Sequence, residues 1–134
     1  MKASILKKEY TDWREANFYG QTGFFPVFKD MSLYLPYLSP GATTLYLYIG
    51  LHSNNITGEC FHSLEKMSTY YNKSIRTISN WVKELEEIGL IERLQLDMNA
   101  VAHTYLKPFP NPKLDEFILL KTGKIVSKEN DLDY

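Results

Sequence analysis

The sequence has a single cysteine, Cys60, so it can build neither an internal disulfide framework nor a multi-cysteine zinc site. That scarcity suits a reducing compartment, and a cytoplasmic location is expected. Nowhere is there an apolar run of about 18 residues, so nothing in the chain reads as a membrane span. Met1 to Glu9 lacks the shorter apolar run of a secretory signal, and secretion is not expected. An excess of charge of one sign is also missing. The 15 Lys and Arg against 16 Asp and Glu leave a net charge of -1, so the bulk balance advertises neither nucleic acid nor membrane. Any such partner must be met by a local feature. Internal repeats and phosphate-cradling glycine loops are absent. Aromatic residues, by contrast, are plentiful at 14%, ten of them tyrosines, which argues against disorder. With 134 residues, 44% hydrophobic, the chain fits one domain with a real core and short appendages.

Hydrophobic periodicity organises the chain. Residues 4 to 18 place Ile5, Leu6, Tyr10 and Trp13 among charges, an amphipathic helix. Gly20 to Phe28, with two glycines and a proline around apolar residues, reads as an extended segment lying across the core. A firmer helix starts at Ser39-Pro40, a capping hydroxyl followed by a proline at the first helical position, and runs to about Ser53. Ala42, Leu45, Tyr46 and Ile49 share one side of it, while Leu47, Tyr48 and Leu51 extend the apolar surface almost all round. Glu59 to His62 has room for a very short strand, in which Cys60 reads as a small buried residue. Ser63 caps a short helix that buries Leu64, Met67 and Tyr71, and Asn72 ends it because Asn tolerates the left-handed backbone. Ser74 caps the next helix, with Ile75, Ile78, Val82 and Leu85 as its apolar stripe, Trp81 and Ile88 widening it, and Gly89 stopping it. Beyond Gly89 the period moves toward two. Leu90 to Leu96 and Val101 to Leu106 read as strands joined by a turn at Asp97 to Ala100. Pro108, Pro110 and Pro112 then close the regular part, and Phe117 to Leu120 form one apolar patch, helix, strand or linker stub, in a charged tail.

Two short helices joined by a tight turn and followed by a hairpin are the plan of a winged helix-turn-helix, whose second helix enters the major groove. On a wheel with Ile75 at zero, Arg76, Asn80 and Lys83 fall at about 80° to 140°, opposite a core stripe at about 280° to 360°. Arg can give two hydrogen bonds to guanine, Asn can pair twice with adenine, and Lys can reach guanine or a phosphate. Thr77 and Ser79 flank this ridge. From Lys66 to Lys83 there are four bases, Lys66, Lys73, Arg76 and Lys83, and no acid. Glu84, Glu86 and Glu87 then load the C-terminal end of the helix, where negative charge suits neither the helix dipole nor a phosphate. Only the first two turns are therefore expected to approach DNA, with a phosphate oxygen near Ser74.

The segment Leu38 to Leu106 resembles the winged helix-turn-helix domains of bacterial, plasmid and phage regulators and replication initiators. The resemblance covers about half the chain. It is carried by Leu38 to Tyr48, by Thr57 to Ser63 and, most specifically, by Ser74-Ile75-Arg76-Thr77-Ile78-Ser79-Asn80-Trp81-Val82-Lys83-Glu84-Leu85 and the following Glu86 to Ile91. Similar N-terminal modules occur in plasmid replication initiators and DnaD-like replication proteins. It implies that the positions of Ser74, Arg76, Thr77, Asn80 and Lys83 face DNA and that the hairpin is the wing.

The resulting expectation is a mainly helical α+β fold, a winged helix-turn-helix at 39–107 between an N-terminal extension at 1–38 and a proline-bounded tail at 108–134. Double-stranded DNA is the expected partner, contacted by Ser63, Lys73, Ser74, Arg76, Thr77, Ser79, Asn80, Lys83 and Arg93. A homodimer on a repeated or palindromic site is expected, in transcription regulation or replication initiation, with a replication or transcription protein as a further partner. The competing reading is a protein-interaction module using the apolar helix at Ser39 and the aromatic N-terminal segment. His52, Cys60, His62 and His103 could donate to a metal, yet no spacing among them matches a compact zinc pattern. No catalytic residue, metal or cofactor is expected.

Overall fold

The computed structural model describes residues 1–20, 23–95 and 102–122. Three serines open the helices of its central part. Ser39, Ser63 and Ser74 each lie in extended backbone, and each Oγ accepts a hydrogen bond of 3.1 Å from the backbone N–H three residues on. That bond satisfies one donor that the first turn leaves free. The elements are α1 (Lys2–Phe18), two 3-10 turns at Lys29–Leu33 and Leu35–Tyr37, α2 (Pro40–Leu51), β1 (Glu59–Cys60), α3 (Leu64–Tyr71), α4 (Ile75–Glu87), β2 (Ile91–Leu94), β3 (His103–Leu106) and α5 (Pro112–Thr122). Asn72 does end α3 in the left-handed conformation, at φ 53 and ψ 48, and the Lys73 N–H returns to Ser68 O at 3.1 Å. Gly89 is required after α4. Its φ is +85, and a Cβ there would stand 2.6 Å from Asn111 Oδ1.

The core is built where α2, α3 and α4 face one another. Ala42, Leu45 and Ile49 of α2, Met67 of α3 and Ile78 and Leu85 of α4 are fully buried. Trp81 lies across the start of α2, so close to Gly41 that a Cβ there would stand 2.1 Å from its ring. Ile75, expected in the apolar stripe, is 45% exposed, because the first turn of α4 projects past the body it packs on. On α2 the apolar surface does run almost all round, but Leu47 and Leu51 are exposed rather than covered.

The sheet has the order β1-β3-β2, both pairs antiparallel. The strands are shorter than the sequence pattern, spanning Ile91–Leu94 and His103–Leu106; the expected turn at Asp97 to Ala100, with Leu96 and Val101, lies outside the described residues. Three helices with a helix-turn-helix at Leu64 to Glu87 and a hairpin behind it make this a winged helix-turn-helix.

Residues on both sides of the central segment join its core. Tyr34 is fully buried, its hydroxyl accepts the Asn111 N–H at 3.2 Å, and its ring meets Phe109 edge-on at 5.6 Å. From the C-terminal side, the apolar patch forms a docked helix, α5, with Leu114 and Ile118 buried in the common core. Pro112 begins that helix, which suits its fixed φ and missing N–H. The segment at 23–28 sends only Phe25 against the core; Phe24, Val27 and Phe28 are exposed. No helix among the described residues is long and apolar enough to cross a membrane.

Candidate nucleic-acid interface

α4 buries one side and offers the other. Ile78, Val82 and Leu85 point into the core, which turns Arg76, Asn80 and Lys83 to solvent on the opposite face. Among the described residues, the side chains of these three make no hydrogen bond or ion pair, so their donors are available to a ligand. Lys73 and Ser74 are exposed beside them in the turn between α3 and α4. The Lys73 carbonyl accepts the Ser68 hydroxyl, which fixes the turn and leaves the ammonium outside. Ser74 Oγ takes the Thr77 N–H and lies 3.0 Å from Thr77 Oγ1, which makes Thr77 part of the cap and holds it half-buried. Ser79 is also half-buried, and Ser63 is engaged as the cap of α3, its Oγ accepting the Lys66 N–H. Seven of the nine expected contact positions thus lie on α4 or in the turn before it, Ser63 heads the preceding helix, and Arg93 is apart.

Arg93 faces inward, against the expectation of a phosphate contact. Alternation along β2 sends Ile91 and Arg93 to one face and Glu92 and Leu94 to the other. The register sets Arg93 opposite Thr104, and Thr104 opposite Cys60, on the inner face. Arg93 Nη1 donates to the buried Thr104 Oγ1 at 2.7 Å. Burial pushes the guanidinium pKa down, and the nearby Glu86 carboxylate opposes that shift. The period-two pattern that identified the strand already held this signal, since Arg93 shares parity with the apolar Ile91.

Two of the three acids at the end of α4 have intramolecular uses, and Glu87 is exposed. Glu84 Oε1 accepts the Ser39 N–H at 2.8 Å, and its Oε2 accepts the Ser39 hydroxyl at 2.7 Å. A carboxylate here sits at the positive end of the α2 dipole and fixes α4 to the start of α2. Glu86 Oε2 accepts the Arg93 backbone N–H at 3.4 Å. The positioning role of Glu84 escaped sequence reasoning because its partner lies 45 positions away and no local pattern links them.

On the outer face of the sheet, Tyr105 donates its hydroxyl to Glu59 Oε2 at 2.6 Å, and His103 Nδ1 lies 2.9 Å from the same oxygen. The Tyr105 hydrogen bond, with help from His103, holds the Glu59 carboxyl below the ordinary carboxylate value. Lys107 lies 3.6 Å from Glu92, so the hairpin's positive charge is partly matched at its base. The His52 and His62 rings lie tilted against each other at 4.6 Å beside Tyr48, whose hydroxyl is 2.6 Å from His62 Nδ1, whereas Cys60 is fully buried. Among the described residues no three His, Cys, Asp or Glu side chains converge as a metal-binding group.

Residues 37–91 match a family model described as a helix-turn-helix domain. The match takes in α2, α3 and α4 and ends at the first residue of β2, so α1, β3 and α5 lie outside it. It suggests DNA as the partner. No curated protein and no solved structure matches the chain.

Proposed function

We propose that the protein binds double-stranded DNA sequence-specifically, α4 entering the major groove with Arg76 and Asn80 at base edges and Lys83, Lys73 and the Ser74 cap at phosphates. One observation carries this reading. The ridge at Arg76, Asn80 and Lys83 is exposed and unengaged, while Glu84, next in sequence to Lys83, is held against Ser39. The first two turns of the helix therefore offer donors and positive charge, while of the acids at its other end Glu84 and Glu86 are tied to the body and Glu87 stays exposed. A ridge this short gives little affinity, so two copies are expected on a repeated or palindromic site. Regulation of transcription, or origin binding as a plasmid or phage initiation or accessory factor, follows from that activity. The role is one of binding rather than catalysis, without cofactor, in the cytoplasm.

The deciding experiment is fluorescence anisotropy with a random duplex pool at low and moderate salt, followed by sequencing of the bound fraction. A sequence reader enriches a motif that Arg76→Ala abolishes, and its affinity falls steeply with salt because phosphate contacts release counterions. No enrichment and no salt-dependent binding would refute it. The exposed Leu47 and Leu51 on α2 favour a second reading, in which the domain docks a replication or regulatory protein. Salt-insensitive capture of such a protein, without DNA binding, would support it.

A further inference from the structure

Among the described residues, α1 is the helix that the fold does not use. None of its 17 residues is buried, and Ile5, Leu6, Tyr10 and Trp13 are between 53% and 60% exposed along one stripe. A lone helix of this length is marginal in water, since nucleation is costly and most helical stability comes from packing an apolar face.

Its charge order makes the isolated helix worse. Residues 2 to 8 carry Lys2, Lys7 and Lys8 and no acid, whereas residues 9 to 18 carry Glu9, Asp12 and Glu15 against Arg14. The first turn has no acid, the last turn has no base, and no side chain caps the N-terminus. A helix dipole favours the reverse arrangement. The Lys8–Asp12 pair at 2.8 Å offsets little, being exposed.

Antiparallel pairing of two such helices removes both defects. Each lysine-rich end then lies beside the acidic end of the other copy, and each dipole runs against its neighbour. Parallel pairing would set lysines against lysines. Ala3, Leu6, Tyr10, Trp13 and Asn17 follow the alternating three and four spacing of a heptad seam. A two-fold axis through the middle of the helix makes that seam self-complementary. We propose that α1 is the surface through which two copies of this chain associate, antiparallel about a two-fold axis. This deepens the two-copy reading above by giving it a surface, and it does not depend on DNA binding.

The test is sedimentation velocity on the full chain without DNA, across a concentration series. The wild type should show a concentration-dependent dimer. A triple variant Lys2→Glu, Lys7→Glu, Lys8→Glu and a second triple variant Glu9→Lys, Asp12→Lys, Glu15→Lys should each dissociate at least about tenfold more readily, because like charges now meet at both ends. Mixing the two variants should restore the dimer. Since no residue of α1 is buried, each variant should keep the wild-type thermal transition when both are compared at a concentration where the wild type is monomeric, which verifies folding. A monomeric wild type at every concentration, or a mixture that fails to dimerise, would overturn the proposal. A wild-type monomer that still binds duplex DNA leaves the DNA reading standing; a dimer that binds none does the opposite.

Discussion

α1 and α4 are both helices with an apolar stripe and a charged remainder, yet one buries nothing and the other anchors the core. α4 has a capping serine, three core residues at helical spacing and α2 and α3 to receive them. α1 has a weaker stripe of Ile5, Leu6, Tyr10 and Trp13, no side-chain cap and, among the described residues, nothing that buries it. An amphipathic pattern therefore determines that a face will be buried if a complementary surface exists. It does not supply the surface.

The largest expected effect sharpens that contrast. Leu85→Ala, at a fully buried position, should cost about 2–5 kcal/mol in thermal or denaturant unfolding. Leu6→Ala, measured where the chain is monomeric, should stay within about 0.5 kcal/mol. A comparable loss at both sites would show that α1 packs on the body after all. Next in size, Arg76→Ala should weaken binding to a selected site by about 1–3 kcal/mol and relax the preference at one base position, read by anisotropy on the site and its single-base variants. The same change on random duplex should matter much less.

Glu84→Ala removes both acceptors of Ser39 and should lower stability by about 1–2 kcal/mol, whereas Glu87→Ala, at an exposed position, should be nearly silent in the same melt. Equal effects would deny Glu84 its tie to α2. Lys73→Ala should weaken all duplexes alike and reduce the slope of log affinity against log salt by about one, without altering the selected motif.

The smallest expected effect is a pH dependence. Burial, then Lys66 and His52, hold the His62 imidazole below its ordinary value of 6.5. On acidification the unfolded chain takes up the proton first, so the stability that neutral His62 confers is complete above about pH 6.5 and falls as pH drops through the lower folded value. Stability of the wild type should decline over that range more than that of His62→Gln. Parallel curves would remove His62 as the cause.

Local signals carried much of the fold. The three serine caps, the left-handed Asn72 and the core positions Ile78, Val82 and Leu85 all rest on bonds or spacings within a few residues, so sequence alone could place them. The ridge at Arg76, Asn80 and Lys83 follows from the same periodicity, as the face left over once the core face is fixed. Ile75 broke the pattern because periodicity names a face but not where a helix outruns its support. Arg93 was misplaced because a basic residue in a wing was weighed by charge and not by strand parity.

The sequence by itself determined the three capped helices and the two faces of α4, since these depend on rotation per residue, capping and backbone preference, all short-range; the strand ends, the turns at 29–37 and the helical form of α5 it left open. Tertiary structure alone decided that Glu84 closes on Ser39, that β1 pairs with β3, that Tyr34 meets Asn111 and that Leu114 and Ile118 complete the core. Those contacts join residues dozens of positions apart, and their energies arise only when folding brings the partners together and removes water from between them.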